Sequence, residues 1–228
     1  MQGLIRCAVV AGTLLGCGPG GVTMGGDDTP PSDAPAGPSG LIIAWSSSPA
    51  DWPSTVSQVT LEQARFAMNS LRVIGDAGPG DERTTETNVE MRFGWDSVEQ
   101  RPSNLAFDSA PTGRYSQVAL VFDRDSSGSG PEDSYELRGE VVVGSETLDF
   151  KVSDTNAMTF DIAIDERVMP GEMTTIGLRI NFTHALDSID WTMVNRDGDR
   201  LELEEGDSQI GTFRTKLKES FEVVSSGI

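Results

Sequence analysis

The chain has 228 residues, of which 36 are acidic and 17 basic, for a formal net charge of −19. Such a surplus of negative charge repels nucleic acid and anionic lipid headgroups, which argues against a DNA or RNA partner. Cys7 and Cys17 both precede Gly18, so the rest of the chain can form no internal disulfide.

In chain order the first predicted element is a leader. Arg6 carries its one positive charge, Cys7 to Leu15 is apolar, and the small residue Gly16 follows, which together read as a secretory signal peptide over residues 1–16. The apolar run is shorter than the roughly 20 residues that cross a bilayer, and no later segment comes closer. The sequence Leu14-Leu15-Gly16-Cys17 resembles the lipobox of bacterial lipoproteins. That resemblance implies a diacylglycerol thioether on Cys17, cleavage just before it, and acylation of the new amino terminus. With each buried methylene contributing about 0.8 kcal/mol, several acyl chains hold a protein to a membrane where one would leak. Gly18 follows where enteric lipoproteins retained at the inner membrane have Asp. The resemblance therefore implies a lipid-anchored protein of the outer membrane in a Gram-negative envelope.

Residues 17–40 then form a tether. Gly and Pro dominate from Gly18 to Gly40, with Ser, Thr and Asp between, and such a segment cannot bury enough apolar surface to offset its ordering entropy. A flexible coil of this length reaches roughly 25 Å.

From Leu41 to Ile228 the pattern predicts one β domain, with apolar and polar residues alternating as they do on a half-buried strand. Val89, Met91, Phe93 and Trp95 form one ladder. Tyr135, Leu137, Val141 and Val143 form another, and Leu148, Phe150 and Val152 its partner across Gly144-Ser145, a type II′ hairpin signature. Met158, Phe160, Ile162 and Ile164 follow, then Ile176, Leu178, Ile180 and Phe182, and finally Leu201 and Leu203. Tyr115 to Phe122 is more continuously apolar and suits a strand near the centre of a sheet. Thr60 to Arg72 reads two ways: as a strand through Ala64, Phe66 and Met68, or as a helix with Leu61, Ala64, Met68 and Leu71 on one face and Thr60 and Gln63 as a capping box. The strand is favoured. Near the end Ile210, Phe213, Leu217 and Phe221 recur at helical spacing, with Asp207 and Ser208 before them and Lys216 and Lys218 in the last turns, which predicts a C-terminal helix. Strands at short intervals between Gly, Pro, Asp and Ser argue for a sandwich or open barrel.

AFDSAPTGRYSQVALVF (Ala106 to Phe122) and FDIAIDERVMPGEMTTIGLRINFTHAL (Phe160 to Leu186), together with the lipobox, resemble a group of uncharacterised bacterial lipoproteins whose domain of unknown function is thought to be a transthyretin-like sandwich. The resemblance would span most of the chain after Leu41. It implies an envelope protein with a carbohydrate-binding role and no catalytic residues. The fold expected is mainly β: an antiparallel β-sandwich, transthyretin- or immunoglobulin-like, with a short C-terminal helix.

Candidate sites are few. Asp123, Asp125, Ser127 and Gly128 match the first half of a calcium loop, where alternating oxygens surround a hard cation. The loop then departs from the pattern, with Ser134 where a bidentate carboxylate is needed, although Glu132 and Asp133 are close by. Asn195, Asp197 and Asp199 make a second acidic turn around Gly198. Either turn reads equally as a solvated hairpin loop. Trp52, in SSSPADWPST, is a candidate for stacking on a sugar ring, or for packing in the core as expected of Trp45, Trp95 and Trp191. The single His184 has no triad or metal partner in its neighbourhood, and no phosphate loop, nucleophile elbow or zinc pair appears. The sequence therefore points to a non-enzymatic module with no resident cofactor. Calcium is the one metal candidate, and the partners expected are the membrane, through the lipid, and a glycan or an envelope protein.

Overall fold

The computed structural model describes residues 39–75, 83–94, 102–124 and 132–224. Every described residue belongs to one compact unit, Ala36–Ile228. Cys17, most of the tether, Trp95, Asp125, Ser127 and Gly128 lie outside the described residues.

Among the described residues the elements are β1 (Gly40–Ser48), β2 (Ser54–Val56), β3 (Val59–Gly75), β4 (Arg83–Gly94), β5 (Leu105–Phe107), β6 (Gly113–Phe122), β7 (Tyr135–Val143), β8 (Glu146–Asp154), β9 (Met158–Val168), β10 (Met173–Asn181), α1 (Phe182–Leu186), a 3-10 turn at Trp191–Met193, β11 (Asn195–Asp197), β12 (Arg200–Leu203), α2 (Ile210–Glu219) and β13 (Phe221–Val224). They make two sheets. The small sheet has four strands in the order β13-β10-β1-β5, and the large one has nine, running β11-β12-β8-β7-β3-β6-β9 with β2 and β4 also on β3. Residues of both sheets share one apolar cluster. Leu41, Ile43 and Trp45 of β1 and Ile176, Leu178 and Ile180 of β10 meet Leu61, Phe66, Phe93, Val118 and Phe150 of the large sheet.

The protein is thus mainly β, but its strand pairing is mixed rather than purely antiparallel. β1 runs parallel to β10, from Gly40 opposite Met173 to Ser48 opposite Asn181, and β12 runs parallel to β8. The expectation from the sequence is an antiparallel sandwich. The ladders of β9 and β10 instead enter different sheets after the short turn at residues 169–172, leaving β10 to pair with the first strand of the domain. The hairpin at Gly144-Ser145 is as read: Val143 lies opposite Glu146, and Gly144 takes a φ of 64°. β6 lies between β3 and β9, with Val118, Ala119 and Leu120 all buried.

β3 settles the ambiguity of 60–72 as strand and shows its origin. One edge of β3 carries β7 and then β6, and the other carries β2 and then β4. Its pairing slips between Leu61 and Gln63 and again between Met68 and Ser70. Each bulge adds one residue and reverses which parity faces the core. Leu61, then Ala64, Phe66 and Met68, then Leu71 and Val73 are buried, so the three-residue steps that resembled a helix are the two bulges. The first bulge also explains Gly139, opposite Leu61, because a Cβ there would meet the Thr60 carbonyl oxygen.

The C-terminal helix is present but ends sooner. Ile210, Phe213 and Leu217 are its buried face, while Phe221 belongs to β13, whose residues pair with β10. Its N-cap is Gln209, without a side-chain cap bond; Asp207 serves the preceding turn by accepting from the Glu204 amide at 2.8 Å. The short α1 was not anticipated. Asn181, at the end of β10, caps it by accepting from the His184 amide.

Candidate functional site

The outward side chains of the large sheet form an ionic network across neighbouring strands. Glu90 of β4 accepts from Arg65 of β3 at 2.6 Å and from Arg92 at 2.9 Å. Arg65 lies 3.7 Å from Glu136 of β7, which accepts from Arg138 at 2.8 Å. Lys151 of β8 stands 4.0 Å from Glu136, 3.9 Å from Asp133 and 3.8 Å from Glu204. The hairpin register places Arg138 directly opposite Lys151, a like-charge contact that Glu136 beside them relieves.

Two depressions open on either side of Lys151. One, of ≈ 190 Å³, lies beside the first β3 bulge and is lined by Glu62, Arg138, Asp149, Lys151 and Arg200 over Gly139 and Phe150. The other, of ≈ 130 Å³, is lined by Asp133, Lys151, Ser153, Asp154, Thr155, Glu204 and Glu205. Both are smaller than the roughly 300–1,000 Å³ of sites that enclose a small organic ligand. In the second cup Asp133 is raised above the ordinary carboxylate range. Its burial is the main cause, and Glu136, Glu132 and Glu204 add to it against the pull of Lys151. The Thr155 hydroxyl donates to Glu205.

At the floor of this cup Asp154 is wholly buried, and both its oxygens are occupied. Oδ1 accepts from the backbone N–H and the side-chain amide of Asn156, each at 3.0 Å. Oδ2 accepts from the Tyr135 hydroxyl at 3.2 Å and from Arg214 Nε at 2.7 Å. Burial, reinforced by the Asp154 charge, raises the Tyr135 hydroxyl well above its ordinary range, so it stays protonated and donates. The cluster joins α2 to the large sheet.

The sequence-predicted residues fall in separate places. Asp133 is in the acidic cup. Asp123 is half-buried beside β3, its amide donating to the Ala67 carbonyl at 3.0 Å. Asn195, Asp197 and Asp199 are exposed on the β11–β12 hairpin, where the Asn195 amide donates to Asp207 at 2.5 Å. Among the described residues no group of three or more His, Cys, Asp or Glu is gathered closely enough to hold a metal ion. Trp52, offered above as a stacking platform, is 6% exposed. Its ring stacks on Phe93 at 6.4 Å and meets Phe182 edge-on at 5.4 Å, while Nε1 donates to Ser47 at 3.1 Å. Its apolar body is therefore engaged by the core. Trp45 and Trp191 are buried as expected. His184 is exposed on α1, with Nε2 3.3 Å from Glu219.

The sequence reading passed over Glu136, Lys151, Glu204, Asp154 and Arg214. A signal for the first two was present: the two-residue hairpin at Gly144-Ser145 fixes Arg138 opposite Lys151 and Glu136 opposite Ser153. Nothing comparable announces Arg214 as the partner of Asp154, since that contact depends on how α2 docks.

No family model, curated protein or solved structure matches the chain.

Proposed function

We propose that this chain is a lipid-anchored envelope protein, held at the outer membrane through Cys17, whose β domain is a non-catalytic binding module. The two sheets that share one core are read as a sandwich of the transthyretin or immunoglobulin kind, with β1 and β12 added in parallel. Its ligand is a divalent cation, bound at the acidic cup. The single observation that carries the ligand is the pair of carboxylates, Asp133 and Glu204, that face Lys151 across the cup, with burial holding Asp133 above its ordinary range; two carboxylates supply part of a coordination shell, and water would complete it. A hard cation displacing the lysine ammonium would satisfy the oxygens that now stand 3.8 to 3.9 Å from Nζ. A glycan is the weaker candidate, because among the described residues no tryptophan or tyrosine is exposed to stack on a sugar.

Calcium titration of the full chain tests this. The melting temperature should rise with calcium in the parent and stay flat in Asp133→Asn/Glu204→Gln; no rise in the parent removes the cation. The anchor is tested separately: Cys17→Ser should lose both fatty-acid labelling and membrane partitioning, and equal labelling of mutant and parent would refute the anchor alone.

A second reading, a structural subunit of an envelope complex, is favoured by the outer face of the small sheet. Ile42 lies between Ala106 and Thr175, and Ala44 beside Gly177, with the Arg179–Glu222 pair as the charged contact of the strands. Silence on calcium and on a glycan array, with one envelope protein recovered by crosslinking, would favour this reading.

A further inference from the structure

We propose that Asp197–Gly198 is a site of spontaneous isoaspartate formation, a modification that rebuilds the β11–β12 hairpin. The sequence contains one Asp-Gly step and no Asn-Gly step. That step sits at the tip of the hairpin: Asp197 pairs with Arg200, leaving Gly198 and Asp199 as the two-residue loop. Gly198 adopts a φ of 61° and would meet nothing if it carried a Cβ, so no side chain crowds the space beside its Cα at the hairpin tip. Asp197 is exposed, and among the described residues its carboxylate engages no hydrogen bond or ion pair that would hold it away from that nitrogen. β11 is exposed at all three residues and, as the end strand of its sheet, pairs only with β12. Local opening of such a hairpin costs far less than global unfolding, which gives the backbone the freedom the reaction needs.

The Gly198 amide nitrogen attacks Cγ of the protonated Asp197 carboxyl. A C–N bond forms, the C–O bond to the hydroxyl breaks, and that hydroxyl leaves with the amide proton as water, closing a five-membered imide. Water then opens the ring. Attack at Cγ restores aspartate, and attack at the backbone carbonyl leaves the chain running through the side-chain carbon with a free α-carboxylate. One water is lost and one regained, so the mass is unchanged. The product inserts a methylene into the main chain at the closing pair of the hairpin. It should displace Arg196, whose guanidinium donates to the Gly198 carbonyl at 2.9 Å and to Glu146 at 2.7 Å, stitching this hairpin to the β7–β8 turn.

The test is incubation of the folded full chain at physiological temperature, followed by peptide mapping and isoaspartyl methyltransferase labelling. Isoaspartate should accumulate at position 197, faster in mildly acid than in alkaline buffer. Asp197→Glu should lose the signal, because the six-membered imide closes far less readily. Asp197→Asn should convert faster than the parent, release ammonia, and accelerate in alkali instead. Isoaspartate absent from the folded parent over a period in which the urea-denatured chain accumulates it would overturn the proposal, and so would an undiminished signal in Asp197→Glu.

Discussion

The guanidinium of Arg214 on α2 clasps the carboxylate of Asp154 at the end of β8, with Nε at 2.7 Å and Nη2 at 2.5 Å from the same oxygen. The acid is completely buried and the arginine side chain is 29% exposed, so the arginine is the partner that keeps some water. Removing one member of a buried pair strands the other. Arg214→Met should therefore cost about 3 kcal/mol, the lower end of the usual range because of that residual hydration. The double variant Asp154→Asn/Arg214→Met should recover part of the loss. Urea denaturation of the three proteins measures both effects, and a double variant no more stable than Arg214→Met would mean that the charge of Asp154 is not what matters.

Asp133 and Glu90 should give opposite pH signatures. Asp133 is raised by burial, so the stability linked to its protonated form is present below the ordinary carboxylate range and is lost as pH rises through the raised value. Asp133→Asn should match the parent in acid and exceed it at neutral pH. Burial of Glu90 works to raise it, but hydrogen bonds from Arg92 and Arg65 prevail and hold it below its ordinary range. Its contribution is present at neutral pH and lost as pH falls through the lowered value, so Glu90→Gln should be the less stable at neutral pH and equal in acid. Both differences should be modest, because the two sites are partly hydrated. Denaturation midpoints across the acid range check the signs.

Gly139→Ala should be far more disruptive than its size indicates. The added Cβ would lie 2.0 Å from the Thr60 carbonyl oxygen and 2.9 Å from the Phe150 ring, and the first of these is backbone that cannot rotate away. Overpacking costs about 1–3 kcal/mol where side chains can adjust, so a loss at or above the upper end is expected. Exposed Gly144, which meets nothing on receiving a Cβ, serves as the comparison: the loss at Gly144→Ala should be confined to its φ of 64°. Thermal melting of the pair separates crowding from backbone strain.

Trp52→Ala should cost about 3–5 kcal/mol, as aromatic truncations in a core do. It should also remove the tryptophan emission component shielded by Phe93 and Phe182. A stable variant with unchanged melting would place this indole outside the core.

The strands were largely legible because alternation survives wherever a ladder is regular, as from Met158 to Ile164. β3 shows why legibility fails locally: two bulges convert a period of two into steps of three at Leu61–Ala64 and Met68–Leu71, which one-dimensional reading takes for a helix turn. Phe221 reads as part of the C-terminal helix for the converse reason. It falls four residues after Leu217, yet the chain has already turned at Ser220 into β13. Parallel pairing of β1 with β10 has no local signature, since it depends on which distant strand arrives beside the first. The acidic cup was half visible. Asp133 drew notice from its own loop, whereas Glu204 and Glu205 reach it only because β12 is laid alongside β8.

The small sheet is assembled from the two extremities of the domain: β1 and β5 come from its beginning, β10 and β13 from its end. A polypeptide still emerging from a ribosome can therefore complete the hairpins between β3 and β9 while its first strand, paired at that stage with the three residues of β5, waits for β10 to arrive. Closure over so long an intervening stretch is entropically slow, so maturation is a late, whole-length event. A version truncated before Met173 should stay protease-sensitive however long it is allowed to fold.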